Sequence, residues 1–279
     1  MLPHESGTAF PARVSPITHV AIPFSMHRFF LPPEHCQDAS LCLAGDEAHH
    51  AQHVVRVRSG ERVAVVDGAG HEFLCEVQGY DRDKARLTVI EKRSQPAPPS
   101  QVTLLQAVPK GKLMEAIIQK ATELGAFRIV PVLSERVVAR LDDKEGVRKA
   151  EKWRLVAREA IKQCGSAWLP IIELPLTPNQ FLARKEGIEL ALIASLERGS
   201  RPARECFRAF EVERRRMPRS VCVWIGPEGD FTPAETDAIK THGALPITLG
   251  RLVLRTETAA IYCLSILNHE LQSPAAPDH

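Results

Sequence analysis

Two stretches of this 279-residue chain gather residues able to bind a ligand and handle a proton: WIGPEGDFTPAE (224–235) and ITLGRLVLRTETAA (247–260). In the first, SVCVWIG (220–226) is short, β-branched and aromatic, the pattern of a buried strand. Thr232, Pro233 and Glu235 then spell a helix start: a Thr cap, Pro at the first helical position, Glu three residues after the cap. Between them lie Gly226, Pro227, Glu228 and Gly229, where glycine allows a sharp turn and lets a ligand approach the backbone closely. In the second stretch Leu249-Gly250 closes a short strand, and Thr256 or Thr258 can cap the last helix. Arg255 and Glu257 stand at that helix start, where the dipole opposes a cation. Arg255 therefore either pairs with Glu257 or another acid, or serves a ligand. Ligands of α/β proteins bind at the carboxyl ends of strands. Two such junctions in one sheet predict the two walls of one pocket.

Other chemistries find little support. No GxxxxGK[ST] loop, GxGxxG turn or GxSxG elbow occurs, which argues against a P-loop, the usual dinucleotide fold and acyl hydrolysis. HHAQH (49–53) sets His49 and His53 four apart, but without the intervening acid or an obvious third ligand. A polar or RNA-facing helix is the better reading, and no metal is expected. The seven cysteines are scattered with no CxxC pair, which points to reduced thiols in a cytosolic protein. Net charge is only +2, so nucleic-acid binding would have to come from local patches.

The elements that must position these residues fall into two units, which a chain of this length can accommodate. No apolar run approaches the roughly 18 residues of a membrane helix. Residues 1–25 carry four prolines and no period, and read as a flexible extension; 273–279 reads as a disordered tail. From 26 to 93 the pattern is mainly β, with strands over 62–68, 71–77 and 85–91 and one helix near 45–57, predicting a small barrel or sandwich. SQPAPPS (94–100) is a Pro-rich linker. From 101 to 272 short apolar strands alternate with helical patterns at 112–125, 151–165, 203–215, 233–243 and 256–271. That alternation predicts an α/β fold with a parallel sheet covered on both faces.

In collinear order, MHRFFLP…HVVRVRSGERVAVVDG, PKGKLMEAIIQKATELG, REAIKQCG, GPEGDFTPAE and LGRLVLRTETAA resemble the blocks of the RsmE family of ribosomal-RNA methyltransferases, of the SPOUT class. The resemblance spans roughly 26–272. It implies a PUA-like N-terminal β-barrel and a C-terminal α/β domain with a deep trefoil knot. It also implies a cytoplasmic homodimer that uses S-adenosylmethionine to methylate N3 of one uridine in 16S rRNA, free or in the small subunit. The cofactor loops implied are Leu196, then Gly226, Pro227, Glu228 and Gly229, then Leu249, Gly250, Leu254, Arg255 and Thr258. Two positions depart from the family pattern: Asp230 replaces a glycine, and Leu252 falls where LGxR has arginine.

N3 of uridine carries a proton, so its anion must be formed or stabilised, and a cation near the uracil carbonyls does this. Arg255 is the candidate, with Glu228 or Glu257 taking the proton or orienting Arg255. RNA contacts are expected from Arg28, Arg56, Arg58, Lys110 and Lys112. Lys120, Glu123, Glu159 and Gln163 belong to knot packing or a dimer interface, and Arg214 to Arg216 to a solvated helix end. Two rivals remain: an rRNA-binding assembly factor without catalysis, and a SPOUT enzyme acting on tRNA.

Overall fold

The computed structural model describes residues 26–136 and 142–272, so the expected extension 1–25 and tail 273–279 lie outside the described residues. The N-terminal unit is a five-stranded sheet. It contains β1 (Arg28–Phe30), β2 (Ser40–Ala44), β3 (Arg62–Val66), β4 (His71–Asp81) and β5 (Lys84–Ser94), in the order β1-β3-β4-β5-β2. The β3–β4 turn forms because the Asp67 carboxylate accepts the N–H groups of Ala69 and His71 at 2.8 and 3.0 Å. Two register shifts between β4 and β5 bend this pair, and its inner face buries Val63, Val65, Phe73, Cys75 and Leu87. The outer strands β1 and β2 do not pair with each other among the described residues, so the expected barrel is a sheet left open along one seam. The helix expected at 45–57 appears as α1 (Gly45–His49) continued by a π-turn over His50–Val54, and it buries Ala48 and Ala51 in the same core.

The C-terminal unit alternates as expected: β6 (Gln101–Ala107), α2 (Leu113–Glu123), β7 (Arg128–Val132), α3 (Asp143–Cys164), β8 (Ile171–Ile172), α4 (Pro178–Leu182), β9 (Leu190–Ala194), α5 (Ala203–Arg214), β10 (Ser220–Ile225), α6 (Pro233–Thr241), β11 (Leu245–Ile247) and α7 (Thr256–Gln272). All six strands run parallel, in the order β11-β9-β10-β6-β7-β8. Side chains alternate along each strand, so Val221, Val223 and Ile225 enter one core with α2, α3, α5 and α7. Cys222 and Trp224 enter the other, where Trp224 meets Phe181 and Phe231 edge-on at 5.4 and 6.2 Å between ring centres. The helix read at 151–165 begins at Asp143, capped by the Asp142 side chain; its first turns, DKEGVRK, are too polar to show an apolar period.

The two units are fastened together. Lys162 on α3 donates to Glu47 of α1 at 2.8 Å and to Glu159 at 2.7 Å, and Glu47 also accepts the Phe30 N–H at 3.3 Å. Burial disfavours the Lys162 charge, but hydrogen bonds to Glu159 and Glu47 outweigh it and hold its pKa above the ordinary value. Arg158 lies over the Phe30 ring at 5.0 Å. Gly70, at φ +95°, packs so tightly on Trp168 that a Cβ would come within 2.5 Å of the indole. The Pro-rich stretch is tied at its start: Gln95 N–H reaches the Gly70 carbonyl at 2.7 Å, and Trp168 Nε1 reaches the Pro96 carbonyl at 3.2 Å.

Replacing Lys162 with Met should lower unfolding free energy by roughly 3 kcal/mol, since it leaves the Glu47 carboxylate without its buried cation. Urea denaturation tests this. A loss below about 0.5 kcal/mol, the range of exposed pairs, would show that the ion pair does not hold the units together.

Candidate active site

Strands β11, β9 and β10 are neighbours, so the chain leaving their carboxyl ends converges at one edge of the sheet. There the segments 194–196, 225–230 and 249–254, with the first turn of α7, enclose a cleft of about 300 Å³. Eight residues expected from sequence line it: Leu196, Gly226, Pro227, Glu228, Gly229, Leu249, Gly250 and Leu254. Ala194, Ser195, Leu252 and Val253, within the same expected segments, line it too, as do Ile225, Asp230, Thr256 and Ala259, which were not anticipated there. Most are apolar or small side chains without chemistry of their own, and only their place at strand ends could have marked them.

The first wall is a tight loop. Asp230 N–H closes a turn onto the Pro227 carbonyl at 2.9 Å, and a Cβ on Gly226 would fall 2.7 Å from Asp230 Oδ1 and 3.2 Å from the Phe231 nitrogen. Gly226 is thus the glycine the turn requires. A Cβ on Gly229 would meet nothing nearer than Arg136 Cδ at 3.7 Å. Asp230 sits at φ +60°, in the left-handed region, and its own Oδ1 accepts the Phe231 N–H at 2.8 Å. This accounts for one departure from the family pattern: Asp tolerates the conformation that a glycine would otherwise supply. Beyond it, the expected capping box of α6 is present between Thr232 and Glu235. Glu235 is buried and also accepts from Ser134 Oγ and the Glu135 N–H, both at 2.9 Å. Arg136 donates to the Gly229 carbonyl.

The second wall ends at α7. The Arg255 carbonyl accepts the Ala259 N–H, so Arg255 takes the cap position expected of Thr256 or Thr258. Thr256 is buried, and its hydroxyl donates to the Gly226 carbonyl at 2.7 Å, joining the two walls. With the carbonyls of Gly226, Pro227 and Gly229 engaged, the N–H groups of Glu228 and Gly229 have no partner among the described residues. The loop therefore offers donors to a ligand. Leu196, Leu252 and Val253 are 65, 76 and 79% exposed around the same cleft, an apolar rim suited to a flat or aliphatic group.

The titratable residues divide. Arg255 is exposed and does not line the cleft. No pairing of Arg255 with Glu257 or another acid is present among the described residues. Glu257 lies in the first turn of α7, where its charge suits the dipole. Glu228 is exposed, and its Oε1 accepts the Lys110 N–H at 3.3 Å. Thr258 is exposed and, like Arg255, does not line the cleft.

Of the residues expected to contact RNA, Arg28 has a side chain only 5% exposed and paired with Glu72 at 3.3 Å, at the junction of the two units. Arg56, Arg58, Lys110 and Lys112 are exposed. Arg216 does not end a merely solvated helix: it makes a two-pronged pair with Glu189, which with Arg219 holds that carboxyl down to about 2. Lys120 pairs with Glu123. The His49 and His53 rings stack 4.9 Å apart, and no group of three metal-type ligands occurs among the described residues.

Residues 96–268 match the RNA methyltransferase domain, and residues 43–90 match the RNA methyltransferase PUA domain. A parallel α/β sheet with one cleft at its strand ends, joined to this small β unit, is thus an RNA methyltransferase architecture. The chain belongs to the family of ribosomal RNA small subunit methyltransferase E. It is 32% identical to the Bacillus subtilis protein of that name over 88% of this chain and 98% of that protein. The Synechocystis protein of that name is 31% identical over 88% of this chain and 78% of that protein. Among solved structures, a Legionella pneumophila methyltransferase with bound SAM is 31% identical, with a TM-score of 0.78 over 88% of this chain and 97% of that one. The Neisseria gonorrhoeae ribosomal RNA small subunit methyltransferase E bound to S-adenosyl methionine is 25% identical, with a TM-score of 0.76 over 88% and 97%.

Two stability outcomes follow from the loop. Asp230→Ala should lose about 1 kcal/mol by placing a side chain with no local acceptor in the left-handed region, while Asp230→Gly should not. Gly226→Ala should lower the melting temperature more than Gly229→Ala. Thermal unfolding of the four variants reads both, and a reversed order within either pair contradicts the loop geometry.

Proposed function

We propose that this chain transfers the methyl group of S-adenosylmethionine to N3 of one uridine in 16S rRNA, in the cytoplasm and as a homodimer. The observation carrying this reading is the cleft between two loops tied together by Thr256, with N–H donors that have no partner among the described residues on one wall and an apolar rim around it. Backbone donors suit the ring nitrogens and hydroxyls of an adenosine, and the apolar rim suits its base. Relatives solved with that cofactor bound share the fold across nearly their whole length.

The cofactor supplies a methyl on a sulfonium, transferred in one displacement without need of a metal. The protein's part is position and charge. The N3–carbon bond forms as the carbon–sulfur bond breaks and leaves a thioether, while the N3 proton passes to a base. Arg255 stands at the N-terminus of α7 with no ion-pair partner among the described residues. Its charge adds to the dipole, so the fold tolerates a disfavoured cation where an anion would be doubly stabilised. We assign Arg255 to the uracil anion, with Glu228 or Glu257 accepting the proton directly or through water. N3 lies on the pairing edge, so the uridine must be unpaired or turned out.

Arg56 and Arg58 of the small unit, with Lys110 and Lys112 near Glu228, are assigned to RNA phosphates. The small unit is taken as 26–93, the linker as 94–100 and the catalytic domain as 101–272, with the deep knot carried by the C-terminal half. Leu113 of α2 and Tyr262 of α7 are exposed on two helices that touch, which supports a second copy docking there.

Incubation with methyl-labelled cofactor and small-subunit RNA, free or assembled, should yield 3-methyluridine. Label in tRNA alone would favour the other substrate class, and RNA binding without transfer would favour an assembly factor. Arg255→Ala should lower kcat at least about 100-fold, the scale of losing one charge-stabilising group, with unchanged thermal unfolding. Turnover near wild type would remove Arg255 from catalysis.

A further inference from the structure

Gln106, at the carboxyl end of β6, is wholly buried and opposite Ile225 of β10. Its Nε2 donates to the Ala107 carbonyl and to Thr256 Oγ1, both at 2.9 Å. Thr256 has one hydroxyl proton, and it goes to the Gly226 carbonyl at 2.7 Å. The hydroxyl must then accept from Gln106, which fixes which end of the amide faces it. Gln106 Oε1 is left buried with no partner among the described residues. An orphaned acceptor in a dry core is costly, and Leu104 and Val108 on the same face of the strand, with Ile225 opposite, show that apolar side chains suit this layer. Packing alone does not call for an amide here.

We propose that Gln106 is a positioning residue for the cofactor cleft. It holds Thr256, Thr256 holds the Gly226 carbonyl, and the loop 226–230 is thereby set at a fixed separation from the start of α7. The relay runs from the centre of the sheet to both walls, so its loss loosens the cleft while the RNA-facing surface stays unchanged. This inference rests on the cleft being the S-adenosylmethionine site.

Calorimetric titration of S-adenosylmethionine into the full chain tests it. Gln106→Leu and Thr256→Val each remove one link at nearly constant volume. Each should raise the cofactor Kd about tenfold or more, and the double variant should be no weaker than the worse single one, since both cut one relay. RNA affinity should stay within about twofold, a split that general destabilisation would not give. Thr256→Ser keeps the hydroxyl and should recover most of the affinity lost in Thr256→Val. If Gln106→Leu does not fold, the Val and Ser variants at 256 carry the test alone. A cofactor Kd within about twofold of wild type in Thr256→Val, or equal losses in Val and Ser, overturns the relay. So do fully multiplicative losses in the double variant. Failure of the wild-type chain to bind the cofactor overturns the cleft assignment itself, and the relay with it.

Discussion

Thr256 sits where three demands meet. The chain leaving β10 must turn within five residues, its carbonyls must be satisfied, and the start of α7 must be anchored against the sheet. One hydroxyl answers all three by accepting from Gln106 of β6 and donating to the Gly226 carbonyl. The half-buried Gly226 thereby has its carbonyl satisfied within the protein. The Gly226 carbonyl is taken by α7, and the Glu228 and Gly229 N–H groups of the same loop have no partner among the described residues.

The other features can be read as support for that arrangement. Glu235 ties the start of α6 to the chain following β7 through Ser134 and Glu135, so the far end of the loop is also fixed. Arg136 takes the Gly229 carbonyl. Asp230 supplies the left-handed residue between these anchors. At a larger scale, Lys162, Glu47 and the Gly70–Trp168 contact hold the small β unit against α3. A rigid offset between a small β domain and a cleft suits an enzyme that must reach one base in a large RNA.

Much of this was legible in the sequence because the governing signals are local. Thr232-Pro233-Glu235 spelled a capping box, and five alternating strand and helix patterns gave the parallel sheet. Collinear blocks gave the family. What escaped had non-local causes. β1 and β8 are three and two residues long and exist only through pairing with β3 and β7. Thr256 read as a cap because Thr favours caps, but a bond to Gly226, thirty positions away, took its hydroxyl instead. Arg28 looked like any surface arginine until β1 carried it under α3, and Gln106 was hidden inside an apolar run. Gly229 looked indispensable beside Gly226, yet only the folded loop shows which of the two has no room for a side chain.

The most direct measurement is a crystal structure of the chain soaked with S-adenosylhomocysteine, the thioether product of the proposed transfer. The account predicts density for the product between residues 226–230 and 249–254, with the Glu228 and Gly229 N–H groups donating to it and its sulfur open toward Arg255. Density at any other surface, or a cleft that stays empty at saturating ligand, would contradict it.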